Sequence, residues 1–485
     1  MTNVLDLRPV LFINGFLLLI LAAAMGIPAA VDAWSENLDW EVFLAGASAT
    51  GFLGGTLILG SRPGGRFRLE SRSAFLLTVS AWALGALCAA LPFAFSVLDM
   101  SFTDSVFEAM SGLTTSGATV IVGLDAAPKG ILLWRALLNW LGGLGIIVMA
   151  VAILPLLRIG GMQLFKMESS DKTEKIGPRV SQVAMSVVAV YALLTGLSAV
   201  AFWAAGMGRF DALCHAMSAL STGGFSTSDE SLGHWGSGAR WVAVASMVLG
   251  GSPFPLFVTV WSRRRTVLLE DSQFRTYLGL LAFFAVLLGV WRWASSDWSL
   301  GDSLREAAFG VVSVVTTTGF VTGDVTRWGS FAHVAFFLLA FVGGCTGSTS
   351  GAIKIFRWQV LFQMAKVQVK RLLHPHGVFV IDFNRRRVTD PVVDSVLAFV
   401  ILYIVIFAVH VVLLTMTGVD LVTALSGSAS ALGNGGPGVG DLTGGGSGYR
   451  RLPDAAKWVL AFEMLVGRLE VFTVLVLFTK TFWRE

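Results

Sequence analysis

Long apolar runs recur along this chain, separated by short polar connections. Eight stand out: Val10–Ala30, Ala74–Phe95, Ile131–Leu157, Ala184–Ala205, Trp241–Trp261, Leu278–Trp291, Val396–Leu414 and Trp458–Phe478. A helix needs about 20 mostly apolar residues to cross the hydrocarbon of a bilayer, so these read as membrane spans. Phe43–Gly60 and Phe331–Gly344 are shorter or richer in glycine and bring the expected number to ten. The pattern predicts an all-α integral membrane protein.

Four polar interruptions share one form. Aligned on a glycine they read "SGLTTSGA" (Ser111–Ala118), "SALSTGGF" (Ser218–Phe225), "SVVTTTGF" (Ser313–Phe320) and "SALGNGGP" (Ser430–Pro437). Seven residues before each serine stands Asp104, Asp211, Glu306 or Thr423, a polar start for a helix of about two turns. Beyond each loop another apolar span carries "WLGGLG", "VLGGSP", "FVGGCT" or "LVGRLE". Gly142, Gly250, Gly343 and Gly467 follow the loop glycines Gly117, Gly224, Gly319 and Gly436 by 25, 26, 24 and 31 residues. The insertion "DLTGGGSG" explains the longest interval.

Agreement in order and spacing marks an internal fourfold repeat. Each unit is span, half-helix, polar loop, span. Two extra spans occupy residues 1–61, and the repeats are expected over 72–158, 180–263, 275–372 and 390–485.

Composition strengthens the membrane reading. Of 485 residues 55% are hydrophobic and 14% charged, with a mean hydropathy of +0.73. The first span is too long for a typical signal-peptide core, and no clear small-residue cleavage site precedes the next. Alternate connections, beginning at Arg8, hold 24 of the 35 Lys and Arg residues. By the positive-inside rule both termini are cytoplasmic. The net charge of +4 then reflects topology and does not point to nucleic acid. Cys88, Cys214 and Cys345 are scattered among apolar segments, as packing residues would be.

Irregular backbone at membrane depth survives only when buried in protein or lining water. Four such loops around one axis bring four runs of carbonyls together, where they can replace the hydration shell of an alkali cation and favour potassium over sodium. Glycine permits the dihedrals this requires. The half-helices can aim their negative dipole ends toward the central cavity. Asp104, Asp211 and Glu306 read first as ordinary helix-start residues and also, compatibly, as an acidic ring that attracts cations.

Gly343–Gly351 has too many glycine, serine and threonine residues for a continuous helix. It lacks the G-K-[ST] ending of a phosphate loop and follows no strand. A broken helix beneath the filter, able to block or clear the path, fits it better, and Lys354 could join that device. Arg468 stands where the other repeats have Gly143, Gly251 and Gly344. It reads as a brake facing the pore or as the partner of Glu463 or Glu470. "HPH" at His374–His376 and "DFNRRR" at Asp382–Arg387 lie in a basic connection, the latter as a solvated loop or docking surface. No grouping of catalytic residues can be assembled, so an enzyme is not expected.

With these motifs the chain resembles the Trk/Ktr/HKT superfamily of potassium transporters over nearly its whole length. The loops, "NWLGGLGIIVMAVAILP", "GGCTGSTSGAIK" and "GRLEVFTVLVLF" carry the likeness. The two extra spans look like the bacterial Trk-type membrane subunit.

The resemblance implies a gated potassium-selective pore in the inner membrane, a homodimer, and a cytoplasmic ring of regulatory subunits that alone bind nucleotide. No cofactor is implied; potassium is the substrate. Matching positions put the filter at Thr115, Ser116 and Gly117; Thr222, Gly223 and Gly224; Thr317, Thr318 and Gly319; and Asn434, Gly435 and Gly436. The gate maps to Gly343, Gly344, Cys345, Thr346 and Gly347, continues through Ser348, Thr349, Ser350 and Gly351 to Lys354, and includes the pore arginine Arg468. A symporter coupling potassium to sodium or protons, and a non-conducting scaffold for a cytoplasmic sensor, are the competing readings.

Overall fold

The computed structural model describes residues 6–62, 70–152, 176–262, 266–323, 328–384, 386–438 and 448–484. Among them the chain is helical except for its loops and a two-stranded ribbon pairing Asp382–Phe383 with Arg386–Arg387. Seven helices are long and apolar enough to cross a membrane, with an eighth span if one bent pair is counted.

The first two spans, Arg8–Trp34 and Asp39–Gly60, pack as a close hairpin. A Cβ placed on Gly15 would stand 2.7 Å from the Gly54 carbonyl oxygen, so only glycine lets the backbones approach this far. Buried acids dock this hairpin on the first repeat: Asp32 accepts the Gly130 amide at 2.6 Å and Asp39 the Val97 amide at 3.2 Å.

Four repeats follow around one central pathway. Their outer spans are Ser71–Ala89, Ile176–Ala204, Ser272–Ser295 and Asp390–Met416. Their half-helices are Phe102–Leu113, Arg209–Leu220, Leu300–Val315 and Leu421–Gly433. Each half-helix is buried, with Ala109, Ala219, Val315 and Leu432 fully enclosed.

The inner spans depart from expectation. Only the first, Lys129–Ala152, runs unbroken through its glycine pair. The second bends by 93° between Ser237–Gly250 and Phe254–Val260, where Pro253 cannot continue the helix. In the third, Ser330–Leu339 ends and Ile355–Leu373 begins only after a long loop. The fourth stops at Arg468 and restarts at Val471, with Glu470 between them at φ 59°. Three of the ten expected spans are therefore broken.

The glycine pairs explain the shared geometry. A Cβ on Gly142, Gly250 or Gly467 would strike the carbonyl of Leu113, Leu220 or Leu432, the equivalent point near the end of each half-helix. Gly343 instead abuts Gly351, because the third repeat folds its own loop into that space. The three cysteines are free and buried.

Within the "DFNRRR" stretch, Asp382–Phe383 pairs with Arg386–Arg387, with Asp382 and Arg387 exposed and Phe383 and Asn384 partly buried; Arg385 lies outside the described residues. Phe383 packs edge-on against Phe356 at 4.9 Å, and Asn384 donates to Asp271 at 2.7 Å while accepting the Ser272 amide at 2.8 Å.

Candidate functional site

Side-chain caps fix the starts of three of the four half-helices. Ser101 accepts the Asp104 amide at 3.1 Å, Ser299 the Asp302 amide at 3.1 Å, and Asp420 the Thr423 amide at 3.0 Å. The Ser299 hydroxyl also donates to Asp302 at 2.7 Å and holds that carboxyl below the usual carboxylate range.

The acidic-ring reading is corrected here, because each carboxylate is committed to a contact. Asp104 meets Lys457 at 2.6 Å, Asp211 accepts from Thr227 at 2.7 Å, and Glu306 meets Arg240 at 2.7 Å. Glu306 also lies well inside its helix and caps nothing. Lys457 and Arg240 stand ten residues before the equivalent glycines Gly467 and Gly250, so equivalent ion pairs close two of the four seams between repeats.

The four loops share one backbone. The amides of Ser116, Gly223, Thr318 and Gly435 return to the carbonyls of Ser111, Ser218, Ser313 and Ser430 at 2.8 or 2.9 Å. Thr115, Thr222, Thr317 and Asn434 are left-handed, at φ 52°, 53°, 58° and 52°. So are Gly117, Gly224, Gly319 and Gly436, at 78°, 75°, 81° and 86°. With the amides tied back, the carbonyls are free to face elsewhere. Among the described residues, only the Gly436 carbonyl of these twelve positions accepts a hydrogen bond, from Ser430 and from Tyr449 at 3.0 Å.

The loops close into a ring. A Cβ on Gly117 would lie 2.5 Å from the Gly223 carbonyl oxygen, and one on Gly224 would collide with the Thr318 carbonyl. One on Gly319 would lie 2.6 Å from the Gly435 oxygen, and one on Gly436 3.3 Å from that of Ser116. Each glycine thus faces the middle carbonyl of the next repeat, and the fourth returns to the first.

The 343–354 segment lies against this ring on one side. Gly351 donates to the Thr317 hydroxyl at 2.7 Å, and Ser350 lies 3.3 Å from the same oxygen. The Thr349 hydroxyl is 3.0 and 3.1 Å from the Gly250 and Leu220 carbonyls and accepts from Thr222 at 3.2 Å. Cys345 donates to the Gly251 carbonyl at 2.9 Å, Thr346 to Gln273 at 2.7 Å, and Gly347 accepts the Phe254 amide at 3.0 Å. Gly343 bonds Ile353 at 2.9 Å, Gly344 bonds the Ser350 hydroxyl at 2.8 Å, and Ser348 returns to the Cys345 carbonyl at 2.6 Å. Lys354 donates to the Ser350 carbonyl.

Arg468 reaches this loop from the fourth repeat, donating to the Thr349 carbonyl at 2.7 Å. Glu463 instead accepts from Ser428 at 2.6 Å, and Glu470 pairs with Arg357. Neither acid pairs with Arg468. The Nε and Nη2 of Arg468 are buried without a hydrogen-bond partner among the described residues.

Sequence reasoning missed Glu108, Arg135 and Tyr449, which hold the loops from behind. A charged pair inside apolar segments was the available signal for the first two.

Four half-helices, a ring of left-handed loops and broken spans beneath it define a multi-pass membrane protein organised around an axial pathway. A family model described as "TrkH: Cation transport protein" matches residues 43–484, and the chain belongs to that family. It is 40% identical over 486 residues to the Trk system potassium uptake protein TrkI of Halomonas elongata, covering 98% of this chain and 97% of that protein. It is 41% identical over 423 residues to the Trk system potassium uptake protein TrkH of Salmonella typhimurium, covering 86% and 87%. The crystal structure of the potassium transporter TrkH from Vibrio parahaemolyticus superposes with a TM-score of 0.92 at 35% identity, over 99% of this chain and 100% of that one. These relatives are named for transport, not for catalysis.

Proposed function

We propose that this protein carries potassium into the cell through a selective, gated pore. The closed ring of four loops carries the reading: their amides are tied back, their glycines are left-handed, and eleven of the twelve carbonyls accept no hydrogen bond among the described residues. Such a ring can substitute for the hydration shell of potassium. Thr115–Gly117, Thr222–Gly224, Thr317–Gly319 and Asn434–Gly436 are the filter in this reading, within repeats spanning 72–158, 180–263, 275–372 and 390–485. Relatives named as potassium uptake proteins support the choice of ion.

The gate is the 343–354 loop with Arg468. Helix Ile355–Leu373 continues directly from it and leaves Lys366, Lys370 and Arg371 exposed. A cytoplasmic regulatory subunit that binds nucleotide, and pulls on this helix, can therefore move the loop. The protein sits in the bacterial inner membrane as a homodimer with both termini inside, as the distribution of Lys and Arg supports.

Potassium and sodium flux into liposomes holding this chain, with and without its cytoplasmic partner, tests the reading. Potassium-selective flux is expected at least with the partner present. Flux that ignores the difference between the two ions, or none under either condition, overturns it.

A further inference from the structure

Arg135 lies in the first inner span and is 1% exposed; Glu108, in the first half-helix, is fully buried. Their Nε and Oε1 are 2.8 Å apart. Thr119 and Ser226 occupy equivalent places, two residues beyond the filter glycines Gly117 and Gly224. Arg135 holds both: Nη2 reaches the Thr119 hydroxyl at 3.2 Å and Nη1 the Ser226 carbonyl at 2.6 Å. The Phe225 ring covers the guanidinium at 4.1 Å. Glu108 also takes the Val120 amide at 2.9 Å and lies 2.9 Å from the Thr119 hydroxyl.

We propose that Arg135, oriented by Glu108, is a positioning residue for ion selection, because one guanidinium fastens equivalent points of the first and second loops and so sets their spacing. This rests on the filter reading above.

The chemistry requires the fork. Three separate donors on one rigid plane reach a carboxylate, a hydroxyl and a carbonyl in two repeats, which a lysine ammonium on a flexible stem cannot reproduce. Glu108 compensates the charge, so the clamp leaves no bare cation beside a cation pathway.

The other repeats confirm that the fastening is local. Glu108 stands three residues before Ser111, and the corresponding residues are His215, Gly310 and Gly427. His215 holds the Ser226 hydroxyl at 2.9 Å, whereas the two glycines have no side chain to offer. The third loop is tied by Leu232 to the Val321 carbonyl at 3.0 Å, and the fourth by Tyr449 to that of Gly436. Arg240 joins Gly233 to Glu306 further from the filter, so among the described residues Arg135 is the guanidinium that touches the positions two beyond a filter glycine in two loops.

A residue that only supports folding changes yield and melting temperature and leaves ion preference alone. The test is therefore the potassium-to-sodium permeability ratio of the full chain in liposomes, with its partner present, alongside its melting temperature. Arg135→Lys is expected to lower the ratio by about tenfold while potassium flux persists, the scale of one charge-assisted hydrogen bond. Thr119→Val keeps both charges and removes the shared hydroxyl; it is expected to shift the ratio the same way by a smaller factor. Wild-type ratios in folded variants overturn the inference, and Thr119→Val decides if Arg135→Lys does not fold. Wild-type protein without ion preference overturns the filter reading as well, whereas a selective wild type with unchanged variants overturns this inference alone.

Discussion

Arg468 donates to the Thr349 carbonyl across the boundary between the fourth and third repeats, at 2.7 Å. Two of its nitrogens have no other partner among the described residues, and the neighbouring acids are engaged elsewhere. The guanidinium therefore latches the loop and, in the proposed function, places positive charge beneath the filter. Arg468→Gln removes the latch, worth about 1.5–3 kcal/mol for a hydrogen bond to a charged group. Basal potassium flux is expected to rise about tenfold at unchanged protein yield. Unchanged flux from folded protein rules out the brake.

Thr349 supplies the second fastening. Its hydroxyl serves the Leu220 and Gly250 carbonyls and accepts from Thr222. Thr349→Val preserves shape and strips these contacts, at about 1–3 kcal/mol for the groups left unpaired. Basal flux is expected to rise here too, and stopped-flow measurement of thallium entry can compare it with Arg468→Gln. A variant as tight as wild type shows that the hydroxyl does not hold the loop.

The glycines of the proposed filter are not interchangeable, and this gives a sharp contrast. Gly319 is left-handed, and a side chain there would press on Gly435. Gly435 has no such φ, and the nearest atom to its Cβ position is 4.0 Å away. Gly319→Ser carries roughly 1–2 kcal/mol of backbone strain plus the collision. It should abolish potassium preference, whereas Gly435→Ala should retain it. Equal permeability ratios for the two variants would falsify the arrangement of the ring.

Lys457 and Asp104 hold the seam between the last repeat and the first. Removing one partner of a buried pair costs about 3–5 kcal/mol. Asp104 keeps 21% exposure, so Lys457→Met should cost less, about 2 kcal/mol. The exchange of Lys457→Asp with Asp104→Lys should restore part of the loss. A double-mutant cycle on melting temperature measures the coupling, and additive effects show that the pair contributes nothing.

The repeat was legible because spacing survives divergence: a serine, a glycine and a later glycine recur at intervals no single loop could mimic. The broken spans were not legible. Gly142–Gly143 and Gly250–Gly251 look alike in sequence, yet only the second pair is followed by proline, and only there does the chain turn by 93°. The same limit affected Arg468. On a continuous helix Glu470, two residues on, would face another side, but the helix ends at Arg468 and Glu470 turns to Arg357. Contacts between distant repeats, such as Arg135 with Ser226, have no local signature. The acids that invited a ring became contacts instead: Asp104 and Glu306 find their partners on neighbouring repeats, and Asp211 finds Thr227 within its own.

The loop beneath the filter belongs to the third repeat alone, although residues of the second and fourth fasten it. An iris that dilates would need four leaves to move in concert, and intermediate apertures would follow. A single stopper needs one event. Unitary records from a single pore are then expected to show one conductance level, with closed dwell times governed by a single exponential and no staircase of partial openings. In the proposed function the fourfold ring chooses the ion, and one quadrant keeps the time.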